Sequence, residues 1–80
     1  MKVAEVKNRA KTILQYSVYG NARSGYGIEV VFQDGGETLT ERTPPCFPRC
    51  SQARDTARFL AENGVYPEHL SDVLRDMKAF

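Results

Sequence analysis

The sequence predicts a small α+β domain: a three-stranded antiparallel β-meander followed by two α-helices that pack on one face of the sheet. Three observations lead to this prediction. Apolar residues alternate with a period of two between Thr12 and Phe32, as they do in half-buried strands. Pro44 and Pro45 then end the stretch of predicted strands, because proline cannot donate to a ladder of hydrogen bonds. After the prolines, apolar residues recur with helical spacing.

Length and charge limit what the chain can be. It has 80 residues and a formal net charge of +1, which fits one domain over residues 1–80 with a thin core. Such a balance favours neither nucleic acid nor a membrane surface as a partner. No apolar run reaches the roughly 20 residues of a membrane helix, and Glu5 interrupts the start where a signal peptide would be apolar. We therefore expect a cytoplasmic protein with no membrane partner.

The first ten residues do not specify one structure. Val3, Val6 and Ala10 have helical spacing, but the segment is short, charged and uncapped. For residues 1–10, a frayed tail, a short edge element and a helix therefore remain open.

Two amphipathic strands and one polar strand are predicted next. Aromatic and β-branched residues, which favour strands, dominate their inner faces: Leu14, Tyr16 and Val18 in the first strand, and Tyr26, Ile28, Val30 and Phe32 in the second. The glycine-rich loop 20–25 between them lacks the lysine of a phosphate-binding loop. Asp34-Gly35-Gly36 supplies a tight hairpin turn. The polar residues 37–43 then return as an edge strand blunted by charge.

Two helices are predicted after the prolines. Ser51 has the side chain of an N-cap for a helix from Gln52 to about Asn63, and Gly64 suits the left-handed residue that closes it. Pro67 fits the first turn of a second helix, which we expect to end near Phe80. Helical spacing assigns the buried stripes to Ala53, Thr56, Ala57 and Leu60 in the first helix, and to Leu70, Val73, Leu74 and Met77 in the second.

A resemblance to a known family rests on the second strand and on the helical end. The residues are Tyr26-Gly27-Ile28-Glu29 and, after a polar strand and a helix, Asn63-Gly64-Val65, Pro67, His69-Leu70, Asp72-Val73 and Asp76. In this order they resemble a family of small uncharacterised proteins from Gram-positive anaerobic bacteria, a domain of unknown function. The resemblance covers residues 12–77, and the crossover with two prolines and two cysteines departs from it. It implies a soluble bacterial protein and no activity.

No constellation of residues favours an enzyme. His69, Asp72 and Asp76 share one side of the second predicted helix, where a solvated polar face is favoured over a metal site. Cys46 and Cys50 are more widely spaced than the usual zinc or redox pair, so partly buried thiols are favoured over a reversible disulfide. We expect no catalytic residue, no cofactor and no bound metal.

Two surfaces are candidates for binding a partner. If the helices cover one sheet face, Ile13, Tyr19 and Val31 remain on the other, where two-fold pairing of two copies would bury them. In the rival interpretation, residues 1–10 fold back over that face. The second candidate is an arginine cluster near the start of the first helix, which suits phosphates or an acidic protein surface. Its members are Arg49, Arg54 and Arg58.

The sequence therefore favours a non-catalytic protein-interaction module whose partner is a second copy of itself, as a homodimer, or another protein. The alternative is a nucleic-acid-binding accessory protein that uses Arg49, Arg54 and Arg58. A metal- or redox-responsive regulator that uses the cysteines and His69 is less favoured than either.

Overall fold

A four-stranded antiparallel sheet and two helices make up the fold in the computed structural model, which describes residues 1–7 and 12–76. The strands lie side by side in chain order: β1 (Lys2–Lys7), β2 (Thr12–Asn21), β3 (Gly25–Asp34) and β4 (Glu37–Arg42). The helical half comprises α1 (Cys50–Glu62), a 3₁₀ turn (Pro67–His69) and α2 (Leu70–Asp76). The predicted α+β class is confirmed.

The prediction of three strands is wrong, because residues 2–7 add a fourth strand beside β2. The pairing is antiparallel, with Val6 opposite Leu14, and its register shifts between Lys2 and Ala4. In a regular strand, Val3 and Val6 would point to opposite sides of the sheet. Two apolar residues three positions apart are instead typical of a helix, which is why the sequence of this segment did not indicate a strand. A β-bulge inserts an extra residue and breaks the alternation, so Val3 and Ala4 both pack against the core. β1 thus extends the sheet at its edge and does not fold over the second face.

The start of α1 also differs from the prediction, because Ser51 is not its N-cap. Arg49 occupies that position, with φ −121° and ψ 140° and no capping hydrogen bond from its side chain. Its carbonyl accepts a hydrogen bond from the N–H of Ala53 at 3.3 Å. The helix therefore begins at Cys50, before the serine that the sequence favoured.

The end of α1 follows the glycine signal closely. Gly64 has a φ of 59°, the left-handed conformation that glycine adopts without steric cost. Its N–H donates to the carbonyl of Ala61 at 3.2 Å, and the N–H of Val65 donates to that of Leu60 at 3.1 Å. This pair of bonds is the Schellman motif, and it turns Val65 back towards the core beside Leu60.

The second predicted helix consists of two parts. Pro67 opens a 3₁₀ turn, as expected of a proline at a helix start, and α2 continues from Leu70 to Asp76. The predicted continuation to Phe80, with Met77 on the buried stripe, lies outside the described residues. Leu70 and Leu74 are buried as predicted.

The helices and the 3₁₀ turn cover one face of the sheet, and the core lies between the two layers. Helix α1 lies over β1, β2 and β3, and the 3₁₀ turn lies over β3 and β4. The sheet contributes Leu14, Tyr16, Val18, Ile28 and Val30, and the helical half contributes Ala53, Ala57, Leu60, Leu70 and Leu74. The predicted inner face is therefore confirmed. Truncation of a fully buried leucine such as Leu60 to alanine costs roughly 2–5 kcal/mol in a core of this kind.

Tyr16 ties the middle of the sheet to the segment that follows α1. Its side chain is fully buried, and its hydroxyl donates a hydrogen bond of 2.9 Å to the carbonyl of Val65. Burial raises the pKa of Tyr16 to about 12, with a smaller contribution from Tyr66. The physical cause is that a buried phenolate would lose the hydration that stabilises its charge.

Replacement of this hydroxyl gives the first prediction. Tyr16→Phe is expected to lower the free energy of unfolding at neutral pH by about 1 kcal/mol, because the Val65 carbonyl loses its donor. Above pH 10, the unfolded wild-type chain releases the Tyr16 proton while the folded chain keeps it until about pH 12. Wild-type stability should therefore fall by up to about 1.4 kcal/mol per pH unit from this group alone.

The variant lacks that contribution, so the stability difference between the two proteins should shrink and then reverse as the pH rises. Urea unfolding followed by circular dichroism between pH 7 and pH 11.5 measures both slopes. If the free energies of unfolding of the two proteins fell with equal slopes above pH 10, this result would contradict the burial of the Tyr16 hydroxyl.

Candidate functional site

The sheet face opposite the helices is a continuous surface built by all four strands. Residues opposite each other in antiparallel strands point to the same side, so the register determines which side chains share this face. They are Lys2, Glu5 and Lys7 from β1, Ile13, Gln15, Ser17, Tyr19 and Asn21 from β2, Gly25, Gly27, Glu29, Val31 and Gln33 from β3, and Thr38, Thr40 and Arg42 from β4. We call this surface the open face.

Ile13 and Val31 form the apolar centre of the open face. Val31 lies opposite Gln15 on β2 and opposite Thr40 on β4. Ile13 is two residues from Gln15 and is therefore a diagonal neighbour of Val31. Both apolar side chains are half-buried. The structure thus brings together two of the three residues predicted for this surface.

Tyr19, the third predicted residue, lies at the other end of the face and is held by contacts within the chain. Its ring covers Gly27, where an added Cβ would lie 2.6 Å from the ring. Its hydroxyl donates to the carbonyl of Thr43, and the guanidinium carbon of Arg42 lies 4.9 Å from the ring centroid, within the range of a cation–π contact. Six strand residues, or about 20 Å, separate Tyr19 from Ile13, so Tyr19 is a separate, ordered part of the face.

An ion pair between β3 and β4 completes this end of the face. The Nε of Arg42 lies 2.5 Å from the Oε2 of Glu29, and this hydrogen bond, followed by the charge of Glu29, raises the pKa of Arg42. This pair was not among the features predicted from the sequence. Its signal was the hairpin turn, because a register with Asp34 opposite Glu37 places Glu29 opposite Arg42.

A second polar group lies at the β1 edge of the face. Gln15 donates a hydrogen bond of 2.8 Å from Nε2 to the Oε2 of Glu5. The Nζ atoms of Lys2 and Lys7 lie 3.3 Å and 3.4 Å from the same carboxylate. The hydrogen bond from Gln15, followed by that from Lys2, lowers the pKa of Glu5. The open face is therefore an apolar centre between two ordered polar groups.

The three predicted arginines lie on the helical side of the molecule. Arg49, Arg54 and Arg58 are all exposed, and Arg54 and Arg58 are one helical turn apart on α1. None of them lies within 4.0 Å of a carboxylate oxygen in the part of the chain that the structure describes. Since α1 covers the opposite side of the sheet, the arginines and the open face are two separate surfaces.

The groups considered for metal or redox chemistry do not converge. Within residues 1–7 and 12–75, no three His, Cys, Asp or Glu side chains lie close enough to hold a metal ion. Cys46 and Cys50 are free, half-buried thiols. His69 is exposed, with its Nε2 4.0 Å from the Oε1 of Glu68, and Asp72 lies 3.8 Å from Arg75.

A shallow groove of about 480 Å³ lies between the β2–β3 turn and the crossover, lined by residues 22–25 and 45–48. The turn is ordered by Asn21, whose Oδ1 accepts hydrogen bonds of 2.9 Å from the N–H groups of Arg23 and Ser24. The crossover is attached to β3 by two backbone hydrogen bonds between Tyr26 and Phe47. The loop is thus an Asx turn with a structural role, and Arg23 is the one charged residue among those lining the groove.

The fold defines a two-layer α+β protein with helices on one side of an open antiparallel sheet. The chain belongs to a family of unknown function, DUF6514, whose sequence profile matches residues 1–79. This match confirms the predicted resemblance to an uncharacterised family. No curated protein and no solved structure shows significant similarity to the chain. Among the helices that the structure describes, none has the length and apolar character to span a lipid bilayer.

The contact between Tyr19 and Gly27 gives the second prediction. Gly27→Ala places a methyl group 2.6 Å from the ring, so Tyr19 must leave its position and lose its bond to Thr43. We expect a loss of about 1–3 kcal/mol in the free energy of unfolding. Gly36→Ala is the matched control, because nothing lies within 4 Å of its added Cβ. Urea unfolding of both variants measures the difference, and equal effects would contradict the ring position.

Proposed function

We propose that this protein is a non-catalytic interaction module that forms a homodimer through the open face of its sheet. One observation carries the proposal. The helices cover one face of the sheet, whereas the other presents half-buried Ile13 and Val31 with no described element packed over them. An apolar centre within a polar surround is the usual anatomy of a protein interface.

The arrangement of the open face suits two-fold pairing. A two-fold axis parallel to the strands and between β2 and β3 would bring Ile13 of one copy next to Val31 of the other, because these residues lie on either side of that axis. The same axis would lay the β1 edge of one sheet over the β4 edge of the other. Glu5 would then lie diagonally across from Arg42 of the second copy, and Lys2 would lie directly across from the same Arg42. The apolar centre is therefore self-complementary, as an isologous interface requires.

The size of the face determines how strong this pairing is. Strands about 4.8 Å apart with a rise of about 3.3 Å per residue give roughly 400 Å² for four strands of six residues. A standard interface buries about 800 Å² on each partner. We therefore propose a reversible dimer whose dissociation constant lies in the micromolar range or above.

Nucleic-acid binding by Arg49, Arg54 and Arg58 is the second candidate function. Its support is that all three guanidinium groups are exposed and that none pairs with a carboxylate among the described residues. Asp55 and Glu62 are also exposed on α1, which dilutes the positive charge that phosphates require. The homodimer is the better supported of the two.

The proposal includes a cytoplasmic location and a source in Gram-positive anaerobic bacteria. The first is supported by the near balance of charges in the sequence, which contains no apolar run of membrane-helix length. The second is supported by the resemblance at the helical end alone.

The third prediction tests the dimer at its centre. Val31→Arg is expected to weaken self-association at least about tenfold, because the two-fold axis would bring two unpaired charges into the apolar centre. The side chain is half-buried in the single chain, so the variant is expected to fold, which circular dichroism checks. Sedimentation equilibrium from about 10 μM to 1 mM measures the dissociation constant.

The matched control is the double variant Arg54→Ala and Arg58→Ala, which should self-associate like the wild type. A wild-type protein that stays monomeric up to 1 mM would contradict the proposal, as would a dimer unaffected by Val31→Arg. Salt-dependent binding of a labelled oligonucleotide that the arginine variant loses would favour the second candidate function.

A further inference from the structure

We propose a second interaction site that is separate from the open face. The free edge of β4 accepts an extended segment of a different protein as an added strand, and it selects a segment with an apolar residue between two basic ones, in the order basic–x–apolar–x–basic. This site lies on the edge of the sheet rather than on its face, and its partner is not a second copy of this chain.

The backbone of β4 provides the hydrogen bonds for an added strand. β4 is the last strand of the sheet and pairs only with β3, and all six of its residues are exposed. In an antiparallel pair, alternate residues direct their N–H and C=O groups to the neighbour. Thr43 donates its N–H to the carbonyl of Ile28 at 2.9 Å. The same alternation directs the groups of Thr38, Thr40 and Arg42 outward, away from β3.

The side chains on the helical side of this edge define the partner. Glu37, Leu39 and Glu41 point to that side, since they lie opposite Asp34, Phe32 and Val30. Leu39 is 52% exposed. It lies beside Phe32, whose ring is 5.1 Å from that of Tyr66, and Tyr66 is itself 38% exposed. Leu39, Phe32 and Tyr66 thus form an apolar patch, against which an apolar side chain of an added strand would pack.

Glu37 and Glu41, which are four residues apart, lie on either side of this apolar patch. In the part of the chain that the structure describes, no basic nitrogen lies within 4.0 Å of Glu37 or Glu41. Two unpaired negative charges along one side of a free edge match basic side chains at the same spacing on an incoming strand. Opposite charges directly across a strand pair stabilise the pairing.

The same charges oppose pairing between the β4 edges of two copies. Antiparallel pairing centred on Leu39 would place Glu37 of each copy opposite Glu41 of the other. Pairing centred on Thr40 would make the two Glu41 side chains diagonal neighbours. Like charges across a strand pair are destabilising, and such repulsion is how an interface rejects the wrong partner. The edge therefore disfavours itself and favours a basic segment.

The test uses two capped peptides that differ only in charge, Thr-Lys-Thr-Val-Thr-Lys-Thr and Thr-Glu-Thr-Val-Thr-Glu-Thr. Each is titrated to millimolar concentration into the ¹⁵N-labelled full chain, and amide chemical shifts are followed. The basic peptide should shift the amides of Thr38, Thr40 and Arg42. The acidic peptide should bind at least about tenfold more weakly, since two attractive pairs become two repulsive ones.

Two variants make the result specific to the edge. Glu37→Lys with Glu41→Lys should reverse the preference between the peptides. Thr40→Pro should abolish binding, because it removes an outward N–H without removing a bond to β3. Val31→Arg, on the open face, is the control and should bind the basic peptide like the wild type, so that failure of the dimer and failure of this site are distinguished.

Three results would overturn the proposal: no shift with the basic peptide at millimolar concentration, equal affinity for the two peptides, or unchanged binding in a folded Thr40→Pro variant. If the proline variant does not fold, the charge-reversed variant decides, and an unreversed preference then overturns the proposal.

Discussion

The covering of one side of the sheet is the constraint on which the rest of this structure depends. The chain places α1 and the 3₁₀ turn over the same face, and Leu70 and Leu74 of α2 join the core beneath them. Tyr16 fixes this layer by donating from the centre of the sheet to Val65, and the Schellman motif places Val65 beside Leu60. With the helical half on one side, the outward side chains of all four strands remain at the surface. The open face and the free edge of β4 are both consequences of this arrangement.

The open face is ordered although no described element packs on it. Glu5 is held by Gln15, Arg42 by Glu29, and Tyr19 covers Gly27. Side chains that are already fixed lose little conformational freedom when a partner arrives, so less of the binding free energy is spent on ordering them. This pre-ordering supports the proposal that the face is an interaction site.

Much of the fold could be predicted because local signals agreed with the period of the apolar residues. Gly64, with its positive φ, ended α1 as expected, and Gly35-Gly36 joined β3 to β4. The position of the turn also determines that Glu29 pairs with Arg42, because the turn sets the register of the hairpin and the register assigns every cross-strand partner. The turn was predicted, whereas the pair that follows from its register was not.

The remaining features depend on contacts between distant residues. The sequence of β1 alone does not indicate a strand, because its β-bulge interrupts the alternation of side chains. The bulge depends on the pairing of β1 with β2. The contact of Tyr19 with Gly27 depends on the register of β2 with β3, whose three-residue connecting turn is ordered by hydrogen bonds to Asn21. The predicted surface residues Ile13 and Val31 were placed on one face by alternation alone, but their neighbours on β1 and β4 required the full sheet. No motif accompanies such a surface, so only its geometry indicates a role.

The most direct test of the central claim is an isotope-filtered NOE experiment on an equal mixture of ¹³C-labelled and unlabelled protein at millimolar concentration. Contacts between the two kinds of chain can arise only across an interface. A dimer formed through the open face should show intermolecular NOEs between the methyl groups of Ile13 and Val31. Intermolecular NOEs that involve methyl groups of α1 instead, or none at a concentration at which sedimentation shows a dimer, would contradict it.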